Sequence, residues 1–171
     1  ANTDNDINPK AERRNGRDSD PPVVLYVSED SAYLNEVRHG LGHAGFSVVA
    51  AKSPAEAMEL AVESALDAML SDYNLMQQDA LTLFGEIKTK MGDTAPPSIV
   101  IADYDEAVLK SKCKNAGVAG FHAKTDSLEK LLERVVSVIR DPEKKERVAL
   151  SVSRRQFKGG TDTLTRIANQ E

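Results

Sequence analysis

The sequence predicts an α/β fold in which five βα units form a doubly wound sandwich around a parallel sheet. Short runs of β-branched and aliphatic residues alternate five times with stretches of helical periodicity. Strands joined by crossover helices must run parallel, and the right-handed crossover rule favours helices on both faces of the sheet. In such folds the functional crevice lies beyond the carboxyl ends of the strands, so chemistry is expected where the strands end.

Five short apolar runs are predicted to be the strands of this sheet. The first, Val23–Val27, is a continuous β-branched run of the kind found in strands covered on both faces, and Pro21 and Pro22 precede it. Pro96 and Pro97 break the chain before the fourth run. The predicted strands are Val23–Val27, Phe46–Ala51, Ala68–Asp72, Ser98–Ala102 and Val118–Ala123.

A stretch with helical spacing of apolar residues follows each run, and capping residues mark several of its ends. Ser53 and Asp79 are suited to N-caps, and Pro54 is suited to the first position of a helix. Gly45 and Gly117 are suited to the position just after a helix ends. The predicted helices are Ser31–Ala44, Pro54–Ser64, Ala80–Lys90, Asp105–Ala116 and Ser127–Ile139.

Length and charge narrow the class of protein. The chain has 171 residues and a formal net charge of -5, which fits one core with polar extra segments. An acidic balance disfavours nucleic acid as a partner, because such binding relies on Lys and Arg to neutralise phosphates. We expect no membrane span and no secretory signal, since no apolar run is long enough and Ala1–Pro22 is polar. Cys113 is the only cysteine, so we expect no intrachain disulfide and a cytoplasmic location.

Two segments lie outside the five βα units. Residues 1–22 are predicted to be a disordered tail, because Ile7 is the only sizeable aliphatic residue before the prolines. Residues 141–160 are predicted to be a connector. Pro142 favours a helix start there, whereas the alternation of apolar residues at 148, 150 and 152 favours a strand. A helical connector is the preferred interpretation.

Charged residues follow three of the predicted strands. Glu29 and Asp30 follow the first, Asp72 ends the third, and Lys124 follows the fifth. If the first and third strands are neighbours, three carboxylates converge, and a hard divalent cation such as Mg²⁺ would relieve their repulsion. Asp72 stands alone and is suited to attack a phosphoryl group, whereas the adjacent pair is suited to hold the ion. In the alternative interpretation, each acid caps the helix that follows its strand.

Four segments resemble the receiver domain of two-component response regulators, over about residues 23–140. Val24–Asp30 is similar to the first strand of that family with its acidic pair, and Gly45-Phe46 falls where its second strand begins. Asp67–Asp79 resembles the strand and loop of the phosphoacceptor, and Gly117–Thr125 resembles the segment that carries the family's lysine. The combination is specific, although no single segment is.

The resemblance implies a flavodoxin-like receiver fold, with a five-stranded parallel sheet in the order 2-1-3-4-5. It also implies that Asp72 is the phosphoacceptor and that Lys124 contacts the phosphate. Mg²⁺ would be held by Glu29, Asp30, Asp72 and the backbone carbonyl of Asn74. The implied partners are a histidine kinase or phosphotransfer protein and a downstream output domain.

Family members often pair through the fourth helix, fifth strand and fifth helix, which implies a possible homodimer here. Lys110, Lys112 and Lys114 on the fourth predicted helix could form ion pairs across such a dimer, or could simply be a solvated face. His39 and His43 could form half of a zinc site, but no further ligand is near in sequence, so we interpret them as surface residues.

The departures from the family pattern concern the switch. Ala102 stands where the family usually has Ser or Thr to hydrogen-bond the phosphoryl oxygen, and Phe121 occupies the aromatic switch position. Softer departures occur at Met76, Ala80 and Thr125. Because the acids and Lys124 are retained, chemistry at Asp72 is expected to survive while its readout is altered.

Two other functions remain open. One is a pseudo-receiver that is never phosphorylated and serves as a dimerisation or docking module, which Ala102 supports. The other is a cofactor-binding flavodoxin-like domain, which Glu29 and Asp30 disfavour because they would repel a phosphate.

The last residues, 161–171, carry a second and shorter resemblance. Asp162–Asn169 is similar to the opening of a GGDEF domain, with Arg166 and Gln170 in place of its usual Gly and Arg. This resemblance implies a link to cyclic-di-GMP turnover, although nothing in this chain could carry that catalysis. A polar C-terminal tail is the alternative.

Overall fold

The computed structural model describes residues 20–152. The predicted disordered tail, apart from its last three residues, lies outside this range. The GGDEF-like segment and the last part of the predicted connector also lie outside it. Within residues 20–152, no helix is both long and apolar enough to cross a membrane.

Five parallel strands form one sheet. In chain order they are β1 Val23–Val27, β2 Ser47–Ala51, β3 Ala68–Asp72, β4 Ser98–Ala102 and β5 Gly120–Ala123. Their spatial order is β2-β1-β3-β4-β5, which confirms the expected order 2-1-3-4-5. The strand β3 therefore lies between β1 and β4, with Val27 paired to Ser71 and Ile101 paired to Asp72.

Helices follow the strands and complete the doubly wound arrangement. They are α1 Ser31–His43, α2 Pro54–Glu63, α3 Ala80–Met91, α4 Ala107–Asn115 and α5 Leu128–Val138, with a short 3-10 turn at Gly92–Thr94. The predicted caps are confirmed: the side chain of Ser53 accepts the N–H of Glu56, and that of Asp79 accepts the N–H of Thr82. Gly45 follows α1 with a φ of 104°, in the left-handed region that favours glycine.

Four elements begin later than the sequence predicts: β2 and α5 by one residue each, and α4 and β5 by two. The helix α4 begins at Ala107 instead of Asp105, because the backbone of Glu106 is extended (φ -119°, ψ 122°) and this residue is the N-cap. The strand β5 begins at Gly120 instead of Val118, because its pairing with β4 covers only residues 120–123.

Alternating residues of β1 supply the two halves of the core. Val24 and Tyr26 belong to the apolar cluster under α1 and α5, whereas Leu25 and Val27 belong to the cluster under α2 and α3. All four are buried. This pleat places the large Tyr26 side chain on the α1 side of the sheet, on the strand next to β3.

Residues 142–152 form a further helix, which we name α6. Val148 and Val152 are buried in the cluster that contains Tyr26, and Lys144 forms an ion pair with Asp67 (3.2 Å) at the start of β3. Because Asp67 precedes β3, α6 is anchored at the amino end of that strand, the end opposite Asp72.

Candidate functional site

Asp72 is the centre of a pocket at the carboxyl ends of the strands. It is the last residue of β3 and is only 7% exposed. The pocket has a volume of about 780 Å³, and Glu29, Asp30, Asn74 and Lys124 also line it. Because β1 and β3 are neighbours, the charged residues predicted from the sequence lie around one cavity, as expected.

Two buried hydroxyl groups from the β1 side hold the carboxylate of Asp72. The Tyr26 hydroxyl donates a hydrogen bond to Oδ1, and the Ser28 hydroxyl donates to Oδ2 at 2.6 Å. Tyr26 and Ser28 are both almost fully buried. Neither contact was predicted from the sequence. Their signal was present as a hydroxyl-bearing Tyr inside an otherwise aliphatic strand and a Ser just after it.

Lys124 is the cation of the site. Its Nζ lies 3.1 Å from Asp30 Oδ2, 3.5 Å from Asp72 Oδ2 and 3.7 Å from Asp103 Oδ1. The ammonium also lies 5.1 Å from the centre of the Tyr33 ring, within cation–π distance. The backbone N–H of Lys124 bonds to the carbonyl of Ala102, which fixes the start of this loop beside β4.

Glu29 and Asp30 face the pocket but are each engaged elsewhere. Glu29 Oε2 accepts the backbone N–H of Met76 at 2.9 Å, across the loop that follows β3. Asp30 Oδ1 accepts the N–H of Tyr33 at 3.2 Å and so caps α1, while its other oxygen meets Lys124. The capping alternative therefore holds for Asp30, alongside its contact with the site lysine.

Burial and neighbouring charges shift the protonation of these groups. Burial raises the pKa of Asp72 above its ordinary value, even though the hydrogen bonds from Ser28 and Tyr26 and the charge of Lys124 oppose the shift. Burial and the Asp72 charge raise the pKa of Tyr26, so it remains a donor. The capping N–H of Tyr33 and the contact with Lys124 lower the pKa of Asp30. Burial by itself lowers the pKa of Lys124, but Asp72 and Asp30 outweigh it and raise the pKa overall.

The oxygen ligands implied for Mg²⁺ do not form a metal site in this arrangement. Both oxygens of Asp72 accept hydrogen bonds from hydroxyl groups, and the carboxylates of Glu29 and Asp30 are bound to backbone N–H groups. Among residues 20–152, no three Asp, Glu, His or Cys side chains are grouped closely enough to hold a metal ion. The donor types suit Mg²⁺, but their positions do not fit it.

The predicted switch residues lie on neighbouring strands. Ala102 ends β4, is 6% exposed, and presents a methyl group where a hydroxyl could have met the pocket. Phe121 is half-buried in β5 and packs with the core cluster under α2 and α3, with Lys110 Nζ 5.7 Å from its ring centre. Lys112, interpreted from the sequence as part of a solvated face, also lines the pocket and donates to the Tyr73 hydroxyl at 3.3 Å.

The remaining singled-out residues lie away from Asp72. His39 and His43 are exposed on α1, with their Nε2 atoms 3.2 Å apart. Cys113 is buried on α4 among apolar residues, as the sequence suggested. His122 is fully buried in β5 and accepts a hydrogen bond from Arg134 at 2.7 Å.

Comparison with known proteins agrees with the geometry. Residues 24–136 match the family model of the response regulator receiver domain. The chain is 27% identical over 120 residues to response regulator MprA of Mycobacterium sp. (strain KMS), covering 70% of this chain and 51% of that protein. It is 26% identical over 147 residues to response regulator MprA of Mycobacterium bovis (strain BCG / Pasteur 1173P2), covering 86% and 63%. This chain therefore spans about half to two thirds of the length of these relatives.

Solved structures with the same fold cover the same part of the chain. The chemotaxis protein CheY4 of Vibrio cholerae has a TM-score of 0.64 at 23% identity, covering 70% of this chain and 99% of that chain. A response regulator from Thermotoga maritima has a TM-score of 0.62 at 27% identity, covering 70% and 98%. The non-phosphorylated HemR receiver domain of Leptospira biflexa has a TM-score of 0.61 at 25% identity, covering 70% and 98%.

Proposed function

Because this chain belongs to the response regulator receiver domain family, we propose that it is a signalling module that accepts a phosphoryl group on Asp72 and controls an attached output domain. The single observation that best supports the proposal is the position of Lys124. Its ammonium lies 3.5 Å from Asp72 Oδ2 at the edge of an open pocket, where it can neutralise charge on an incoming phosphoryl group.

The proposed step is a phosphoryl transfer from a phosphohistidine of a histidine kinase or phosphotransfer protein. One carboxylate oxygen of Asp72 forms a bond to phosphorus while the bond between phosphorus and the imidazole nitrogen breaks. The electron pair of the broken bond stays on the imidazole, which takes up a proton as it leaves. Lys124 stabilises the oxygens of the transferred group, and Asp30, 3.1 Å from its Nζ, holds the ammonium in place.

Intact-mass spectrometry after incubation with acetyl phosphate tests this proposal. We expect uptake of one phosphoryl group by the wild-type protein and none by Asp72→Asn. Lys124→Met should take up the group more slowly because the neutralising charge is gone. Each reaction is run with Mg²⁺ and with EDTA, since receiver domains generally bind Mg²⁺ at the phosphorylation site. Uptake by Asp72→Asn, or no uptake by a folded wild-type protein in either condition, would contradict the proposal.

A second candidate is the pseudo-receiver, which acts by docking and not by phosphorylation. Two observations favour it. Ala102 offers no hydroxyl to a phosphoryl group, and two large apolar side chains at the pocket rim, Tyr104 and Val108, are exposed by 65% and 83%. This candidate predicts that Asp72→Asn leaves the output of the full-length protein unchanged, whereas Val108→Asp abolishes it. The phosphoacceptor proposal predicts the opposite for Asp72→Asn.

The proposed output is the activity of the attached domain. The GGDEF-like segment at 162–169 supports cyclic-di-GMP turnover as the controlled activity. Assaying synthesis and hydrolysis of this nucleotide by the full-length protein, with and without acetyl phosphate, tests the link. An output that does not respond to the phosphodonor would contradict it.

A further inference from the structure

A buried carboxylate must be compensated, and the Asp72 site does this with hydroxyl groups. An ionised carboxyl group that is nearly out of water is costly unless donors or a cation neutralise it. In this site Tyr26 serves Oδ1, Ser28 serves Oδ2, and Lys124 lies farther away at 3.5 Å. Each oxygen of Asp72 to which a metal ion could bind therefore already accepts a hydrogen bond from a neutral hydroxyl.

The backbone fixes the position and direction of the Ser28 hydroxyl. The N–H of Ser28 bonds to the carbonyl of Ala51 at 3.0 Å, which continues the β1–β2 ladder by one residue. The Ser28 Oγ accepts the N–H of Asp30 at 3.0 Å, so its own proton is directed at Asp72. The side chain that lies beside Asp72 therefore comes from the residue just before the acidic pair, and it is neutral.

We infer that Ser28 and Tyr26 neutralise the Asp72 carboxylate in the resting domain in place of a divalent ion, and that Ser28 makes this site a weak binder of Mg²⁺. An ion at Asp72 competes with the two hydroxyls for the charge of the carboxylate, and the Lys124 ammonium beside Asp72 and Asp30 repels it. One oxygen of Glu29 and one of Asp30 already accept the N–H groups of Met76 and Tyr33, and the other oxygen of Asp30 accepts from Lys124. The inference concerns the resting site and goes beyond the proposed phosphorylation.

Tyrosine fluorescence gives a direct readout of the site. The chain has no Trp and four Tyr, and all four lie at or beside the site. They are Tyr26, which bonds to Asp72; Tyr33, which lies against Lys124; and Tyr73 and Tyr104, which line the pocket. Titration with MgCl₂ is compared with NaCl at equal ionic strength, so that only specific binding is scored.

Ser28→Asp and Ser28→Asn form the decisive pair of variants. Both side chains have nearly the same size, but only Asp adds a carboxylate beside Asp72. We expect the Mg²⁺ midpoint of Ser28→Asp to be at least about tenfold lower than that of wild type, and that of Ser28→Asn to stay near wild type, since ligand charge sets affinity for such ions. Equal midpoints for wild type and Ser28→Asp, or an equal gain in Ser28→Asn, would overturn the inference.

Tyr26→Phe provides a second arm that does not place a new charge in the core. It frees Asp72 Oδ1, so the Mg²⁺ midpoint should fall severalfold relative to wild type. An unchanged midpoint in this variant would also overturn the inference. Phosphoryl uptake is measured by mass on the same samples. Failed uptake with the expected order of Mg²⁺ midpoints would contradict the proposed function alone, and normal uptake with equal midpoints would contradict the inference alone.

Discussion

Replacing Tyr26 with Phe removes one hydroxyl group from the buried site and leaves the ring in place. The ring is fully buried and packs edge-on against Tyr33, with centroids 6.4 Å apart, so the change opens no sizeable cavity. What is lost is one hydrogen bond to a buried carboxylate, a type of bond that contributes about 1.5–3 kcal/mol. Ser28 and Lys124 still contact the other oxygen. We therefore expect the free energy of unfolding to fall by about 2 kcal/mol at neutral pH.

Urea denaturation in EDTA measures this loss, and a double-mutant cycle assigns it to Asp72. In an Asp72→Asn background the acceptor is neutral, so Tyr26→Phe should cost only about 1 kcal/mol, which leaves a coupling of about 1 kcal/mol. Tyr33→Phe is the matched control, because its hydroxyl has no hydrogen-bond partner among residues 20–152 and its loss should change stability little. Equal costs of Tyr26→Phe in both backgrounds, or equal costs of Tyr26→Phe and Tyr33→Phe, would refute the reasoning.

Three further predictions concern charge and packing. Because burial raises the pKa of Asp72, the contribution of this group to stability falls as pH rises through the folded-state pKa. Asp72→Asn should therefore be more stable than wild type in urea denaturation at neutral pH, and this gain should vanish in acid; a gain that is the same at both pH values would contradict this. Burial and the neighbouring Arg134 lower the pKa of His122 from 6.5 to about 4. The free energy of unfolding of the wild type should therefore fall by roughly 2 kcal/mol between about pH 6.5 and 5, whereas that of His122→Gln should not. Parallel stability profiles of the two proteins would contradict this. Val148→Ala should lower the free energy of unfolding by about 2 kcal/mol in urea denaturation, because Val148 is 1% exposed. Leu150 lies on the same helix but is 57% exposed, so Leu150→Ala should lower it by less than about 0.5 kcal/mol. Equal losses would mean that α6 does not pack as described.

The strand and helix positions could be predicted because they depend on local signals. Alternating periodicity, the caps at Ser53 and Asp79 and the glycines at 45 and 117 each act within a few residues, and the structure confirms them. The crossover rule then orders the sheet with little freedom. The two largest shifts, at the starts of α4 and β5, occur where the extended backbone of Glu106 or the extent of pairing with β4 sets the boundary.

The partners of the acidic residues could not be predicted in the same way. Which side chain after β1 meets Asp72 depends on two features of the folded backbone. One is the extra ladder bond of Ser28, and the other is the N-cap of α1 at Asp30. A shift of one residue in either would exchange Ser28 for Glu29 beside the carboxylate. The spacing of the sequence predicted which strand ends meet, but it could not predict which of the three consecutive polar residues Ser28, Glu29 and Asp30 contacts Asp72.

The side-chain contacts of Asp72 also determine which elements respond directly to a change in its charge. Among residues 20–152, the side-chain donors to this carboxylate come from the β1 side and from the residue after β5, whereas β4 presents only the methyl group of Ala102. The Ser28 hydroxyl joins Asp72 to the N–H of Asp30, and Asp30 caps α1. A charge added to or removed from Asp72 therefore acts through hydrogen bonds on β1 and the first turn of α1. It reaches the end of β4 indirectly, through Lys124, which bonds to the Ala102 carbonyl and lies 3.7 Å from Asp103, because the hydroxyl that would join that strand directly to Asp72 is missing.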